Sequence, residues 1–246
     1  MWDVEARTPQ APGPGESYSW KKPFPGYDEV LERYSAWLMA LEVPGVAVSD
    51  VHTVFRTHLT CRREDVADFK LQNDSIHPDA TGHLLIAMAV LDAWHAPALV
   101  SEAVLDAARK RVVSGEVTGA RFGRREVRFT WTSKLPLPRD EAWDEKSVRV
   151  AQLSERFSRH RLQVGGLVPG RYELIADGTV AGTFGETELG EGVDLTVLRD
   201  FPTTAASRAV LARIRDRKPD DGGPEPAALA QPRAVRVVVR AVPPSK

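Results

Sequence analysis

Apolar positions first become periodic at Val30, Leu31, Tyr34, Trp37, Leu38 and Leu41. The spacing of three and four predicts one apolar face on a helix over 27–41, and that face is expected to pack on a neighbour. Pro44-Gly45 ends the helix. The unalternating run Val46-Ala47-Val48 then predicts a short strand buried on both faces of a parallel sheet. A second helical run covers 51–60. A third covers Ala80 to Trp94, with Leu84, Leu85, Met88 and Leu91 on its inner side. Helices joined to a buried strand predict an α/β fold.

Beyond a further predicted helix over 98–110, the pattern changes to two-residue alternation. Glu126 to Thr132 and Arg161 to Val164 read as strands, and Tyr172 to Ala181 reads as a hairpin turning on Asp177-Gly178. Between the first two lies a Pro-rich, charged stretch, 135–158, helical over 148–157. A last helix is expected over 204–217. The run 218–232 is rich in Pro, Gly, Asp and Ala and reads as disordered, with Val235 to Val239 at most an edge strand. The expected organisation is an α/β region over 1–110, a β-rich extension over 111–200, a helix over 201–217 and a disordered tail over 218–246. The first 26 residues, with Pro9, Pro12, Pro14, Pro23 and Pro25, read as an irregular lead-in.

Composition narrows the function classes. The chain has 246 residues, 42% hydrophobic and 27% charged, with a net charge of −1 from 33 basic and 34 acidic residues. That balance supplies no excess of cations to replace phosphate counterions, so a nucleic-acid partner is not expected. The longest apolar stretch, Leu84 to Leu91, falls short of a membrane span. Cys61 is the sole cysteine, which excludes an internal disulfide. No cofactor is expected. Asp50, His52, His58 and Cys61 carry ligand atoms, but their spacing does not gather them on one helical face, so no metal site is expected either. Neither compartment nor oligomeric state can be read from the sequence.

The chemistry concentrates at Asn73-Asp74-Ser75-Ile76-His77-Pro78, directly ahead of the third helix. Pro78 stiffens the backbone and is expected in the first helical turn, while its ring pushes His77 out of helical geometry. His77 lies three positions after Asp74. The carboxylate can turn back, accept the Nδ1 hydrogen and fix the tautomer in which Nε2 serves as base. The full string Asp74-Ser75-Ile76-His77-Pro78-Asp79-Ala80-Thr81-Gly82-His83, followed by an apolar helix, resembles the last signature block of the SGNH/GDSL hydrolases. The resemblance extends from Gly26 to about Leu105 and is specific only in those ten residues. It implies part of a three-layer, flavodoxin-like domain in which Asp74 orients His77, His77 is the general base, and a Ser attacks an acyl or acetyl ester, on a small molecule or a carbohydrate. In some bacterial members a β-rich extension follows, with segments similar to 162–170 and 190–195.

The family's other blocks do not match. Neither Gly-Asp-Ser nor Gly-x-Ser-x-Gly occurs, and Gly15-Glu16-Ser17 lacks the preceding strand that exposes a nucleophile. Asn73 follows Lys70-Leu71-Gln72 rather than the Gly of an oxyanion Gly-x-Asn-Asp. A family domain of about 200 residues would place this block far later than residue 74, so the chain is expected to be a carboxyl-terminal portion with negligible turnover alone. The alternative is a non-catalytic binding or structural module derived from that family. Of the remaining candidates, His52 is placed near the end of the predicted strand, His83 reads as packed or capped, and Trp94 and His95 as packing. Arg121, Arg124, Arg125 and Arg128 read as the solvent face of a strand.

Overall fold

The structure, a computed structural model, describes residues 11–19, 22, 24–134, 140–216 and 231–243. It is α/β in class, with helices and two sheets, one mixed and one antiparallel. The chain divides into two compact units: Met1–Ala96 with Glu141–Leu153, and Pro97–Asp140 with Ser154–Lys246. The boundary expected at 110 therefore falls inside the second unit.

In the first unit the described elements are helices: α1 (Tyr27–Met39), α2 (Val51–Arg63), α3 (Ala80–Ala93) and α4 (Glu145–Val150). Phe55 and Leu59 of α2 are buried, as are Leu84, Leu85, Met88 and Ala89 of α3. The apolar pattern of α3 thus covers its core as expected. Val46 to Val48 form no strand. Val46 is exposed, and three residues between a Pro-Gly turn and the Asp50 cap of α2 are too few to hold a ladder that no described partner completes.

The face of α1 is a second correction. No residue of α1 is buried, and Tyr34, Trp37, Leu38 and Met39 are exposed. Polar contacts hold α1 on α2 instead. His52 Nε2 lies 3.0 Å from Asp28 Oδ1, the Ser35 hydroxyl donates to Asp50 Oδ1 at 3.1 Å, and Arg56 pairs with Glu32 at 2.8 Å. Buried Arg62 joins α2 to α4 through Asp144 and Ser147 and lies over the Phe69 ring. Removing one partner of so buried a charge leaves it uncompensated, at a cost of about 3–5 kcal/mol.

In the second unit a four-stranded sheet runs in the order β2-β1-β5-β8 and a five-stranded sheet in the order β3-β4-β9-β6-β7. The strands are β1 (Leu99–Asp106), β2 (Arg111–Gly115), β3 (Val117–Phe122), β4 (Glu126–Ser133), β5 (Arg159–Gly165), β6 (Arg171–Ala176), β7 (Thr179–Gly185), β8 (Val193–Asp194) and β9 (Arg233–Ala241). β1 and β5 pair in parallel; every other pair is antiparallel. Leu105 and Leu162 of one sheet share a core with Trp131, Leu174 and Val237 of the other, so the two sheets face each other. The expected hairpin is present, with both turn residues at positive φ, Asp177 at 49° and Gly178 at 92°. Short α5 (Leu153–Arg156) and α6 (Glu186–Glu191) punctuate the strands, and α7 (Pro202–Asp216) matches the last expected helix.

Two expectations fail here for opposite reasons. The segment read as a helix over 98–110 is β1: Ser101, Ala103 and Leu105 are buried while their neighbours are half-buried, a period of two that the surrounding Ala, Glu and Leu masked. The segment read as tail contains β9, which lies between β4 and β6 rather than at an edge. Its Val235, Val237 and Val239 are buried, each contributing on the order of 2 kcal/mol of burial. Composition of the preceding run hid the alternation that follows it. Of the expected disordered tail, 218–230 and 244–246 lie outside the described residues, as does residue 217 at the end of the expected helix.

Two measurements probe this packing. A Cβ on Gly82 would lie 2.9 Å from the Phe55 ring, 2.9 Å from Pro78 Cβ and 3.0 Å from the Leu71 carbonyl oxygen. Gly82→Ala gains about 1 kcal/mol of helix propensity but overpacks by about 1–3 kcal/mol. A net loss is expected in chemical denaturation; a gain would show slack between α2 and α3. Burial holds the His160 ring at about 4, below its ordinary 6.5, with Asp194 opposing the shift. The unfolded chain therefore takes the proton first. The ring's contribution to stability is full above about pH 6.5, falls by about 1.4 kcal/mol per pH unit toward 4, then levels; buried His58, also held at about 4, adds to the same acid slope. His160→Gln is expected to reduce, not abolish, that acid slope in melting curves between pH 4 and 6.5, His58 supplying the remainder; an unchanged slope would contradict a neutral buried His160 ring.

Candidate functional site

The candidate site is built on the loop between Leu71 and Asp79, which feeds α3. Leu71 and Gln72 are buried. The Asp79 amide donates to the Leu71 carbonyl at 2.8 Å, closing the loop at its base. Asp79 then caps α3, its carboxylate accepting from the Gly82 amide at 2.7 Å. Pro78 precedes the cap instead of sitting in the first turn, but it still fixes the backbone next to His77.

Inside the loop, Asp74 is the organising acceptor. Its Oδ1 accepts from the backbone amides of Ile76 at 3.0 Å and His77 at 2.8 Å, and its Oδ2 lies 2.6 Å from His77 Nδ1. The hydrogen bond from the His77 ring, then those from the His77 and Ile76 amides, hold the Asp74 carboxyl well below the usual carboxylate range. An ionised Asp74 favours the tautomer in which Nδ1 carries the hydrogen and Nε2 is the nitrogen for base chemistry. The His77 side chain is 71% exposed, so a substrate can approach it.

Ser75 gives the loop its turn. It is fully buried, it has φ +73°, and its hydroxyl makes no hydrogen bond among the described residues. A left-handed L-residue costs about 1–2 kcal/mol. Gln72 closes the other side: its carbonyl accepts from the Ser75 amide at 3.2 Å and its Nε2 donates to the Ile76 carbonyl at 3.0 Å. Neither residue stands out in the sequence. An Asp followed by residues whose amides it accepts is a legible Asx turn, whereas a Gln four residues before its acceptor carries no local signature.

The other candidates disperse. Asn73 is exposed within the loop, next to Asp74, and Ser17 is exposed in the lead-in. His52 is buried against Asp28 and faces no cleft. His83 lies exposed on α3 rather than packed, and Trp94 and His95 are exposed rather than packing. Asp50 caps α2 through the Thr53 amide. No group of three His, Cys, Asp or Glu gathers to hold a metal among the described residues. Arg121 and Arg128 are exposed and directly opposed across the β3–β4 hairpin, with Arg128 paired to Glu126. Among the described residues, no helix is long and apolar enough to cross a membrane.

Two further features resemble sites without being suitable for this chemistry. Ser133 Oγ lies 3.3 Å from His160 Nδ1, but Ser133 is 0% and His160 1% exposed, which excludes a substrate from the pair. An open bowl of about 540 Å³ in the second unit is lined by residues including Asp106, Arg109, Val113 and Gln163, with neither Asp74 nor His77 among them.

Comparison with known proteins adds a likeness of fold. No protein-family model matches the chain, and no curated protein matches it. Its structure is similar to that of a gut microbial diltiazem-metabolizing enzyme, with a TM-score of 0.66 and 15% identity, over 92% of this chain and 69% of the other. At that identity the likeness is one of fold.

Proposed function

We propose that Asp74 and His77 form the acid–base half of an ester-hydrolysing site of the SGNH/GDSL type. The observation that carries this reading is the 2.6 Å contact between Asp74 Oδ2 and Nδ1 of an exposed imidazole, made by a carboxylate that also accepts both nearby amides. In the reaction, His77 Nε2 takes the hydroxyl proton as a serine oxygen bonds to the acyl carbon and the carbonyl oxygen becomes an oxyanion. As the oxyanion collapses, the alkoxide leaves and takes that proton from Nε2. Water, deprotonated in the same way, then releases the acid and restores the serine. That a protein of similar fold metabolizes diltiazem accords with a small-molecule substrate.

The serine is the missing partner. The sequence has no Gly-Asp-Ser, which favours a second reading: a binding or structural module that keeps Asp74 and His77 without turnover. The 246-residue chain is expected to show no His77-dependent hydrolysis of p-nitrophenyl acetate. Joined to whatever its gene encodes ahead of Met1, if that includes Gly-Asp-Ser, the protein is expected to hydrolyse the ester. His77→Ala and Asp74→Asn should then each lower kcat by a factor on the order of 10³–10⁴. Turnover that survives His77→Ala sinks the assignment, and an upstream frame without a nucleophile leaves the module reading.

A further inference from the structure

The peptide unit joining Ile76 to His77 is held at both ends. Its carbonyl oxygen accepts from Gln72 Nε2 at 3.0 Å, and its N–H, on His77, donates to Asp74 Oδ1 at 2.8 Å. A peptide unit is rigid, so it moves by rotating as a plane about its two Cα atoms. Fixing the oxygen and the hydrogen together removes that rotation. The orientation of the plane sets the direction in which His77 Cα presents its side chain, and therefore whether Nδ1 meets Asp74 Oδ2.

The loop has reason to turn otherwise. Ser75 sits at φ +73°, a conformation that L-residues avoid, with a buried hydroxyl lacking a partner among the described residues. Relaxing Ser75 would carry the Ile76–His77 plane with it. Gln72 opposes this from a fixed base: it is 1% exposed, and its backbone carbonyl also accepts from the Ser75 amide at 3.2 Å. A buried amide is costly where it makes no hydrogen bond, and an apolar side chain of the same size would fill the space without that cost. The bond to the Ile76 carbonyl is one that such an apolar side chain could not supply.

We infer that Gln72 is a positioning residue, which locks the Ile76–His77 peptide plane and through it holds the His77 imidazole against Asp74. The inference rests on the reading that Asp74 orients His77.

The test reads the ring itself. In the ¹⁵N-histidine-labelled chain, the ratio of Nδ1–H to Nε2–H tautomers of neutral His77 is measured by NMR. Gln72→Met, which conserves volume, and Gln72→Asn, which is too short to reach, are each expected to move the ratio toward Nε2–H by about fivefold, the weight of one hydrogen bond. Leu84→Ala, a core truncation on α3, should lower the melting temperature and leave the ratio alone. Asp74→Asn separates the two ideas. If it leaves the ratio unchanged, Asp74 does not orient His77 and the reading beneath the inference fails. If it shifts the ratio while both Gln72 variants keep the wild-type value, Gln72 is wrong and the reading stands. A shift in Leu84→Ala as large as in the Gln72 variants would make the ratio a report on stability and overturn the inference. The unaltered chain gives an independent check that needs no variant to fold: the Gln72 side-chain amide protons should exchange slowly with solvent, and exchange as fast as at an exposed glutamine would also overturn it.

Discussion

The Asp74 carboxylate accepts three hydrogen bonds from residues within three positions of itself, two from amides and one from an imidazole. The rest of the site depends on that arrangement. Ser75 must turn left-handed for the amides to converge, Gln72 closes the turn, and Asp79 hands the chain to α3. An exposed Asp–His pair adds at most about 1 kcal/mol to stability, while the left-handed Ser75 alone costs about 1–2 kcal/mol. The Asp–His pair by itself therefore does not offset the turn; the amide bonds to Asp74 and the Gln72 bonds complete the support. Strained backbone and a perturbed carboxylate beside an exposed ring are features that cluster at functional sites, which is in keeping with the proposed acid–base role.

The scaffold beneath the loop is built from two kinds of constraint. α2 and α3 approach closely because Gly82 has no Cβ to strike Phe55, Pro78 and the Leu71 carbonyl. α1 is held differently, by Asp28–His52, Ser35–Asp50 and Glu32–Arg56, while its aromatic residues face outward. A position fixed by packing survives changes of salt, whereas the exposed Glu32–Arg56 pair weakens as salt rises. α3, which bears the loop, has the first kind of support.

Much of this was legible in the sequence, and the failures have physical causes. The α2, α3 and α7 segments and the β4, β5 and β6–β7 strands follow from apolar period and turn chemistry. β1 was hidden because its inward positions are Ser101, Ala103 and Leu105, small or ambiguous residues whose helix propensity says nothing of the β5 and β2 partners that decide them. β9 was hidden by the composition before it, although Val235, Val237 and Val239 alternate cleanly with outward neighbours. Val46 to Val48 shows the converse error: an apolar run predicts a strand only where a partner exists to complete its ladder.

Within the site, spacing alone brought Asp74 to His77, because a contact three residues apart is a local property of the chain. Gln72 was beyond the same reasoning. Its side chain reaches the Ile76 carbonyl only because Ser75 reverses the backbone between them, and a left-handed Ser has no mark in sequence. The distinction separates two parts of the proposed base. Which nitrogen carries the proton is set by the neighbouring carboxylate and can be read from the motif. Whether the ring meets that carboxylate depends, by the inference above, on the peptide plane behind it, which a buried amide on the far side of the loop holds.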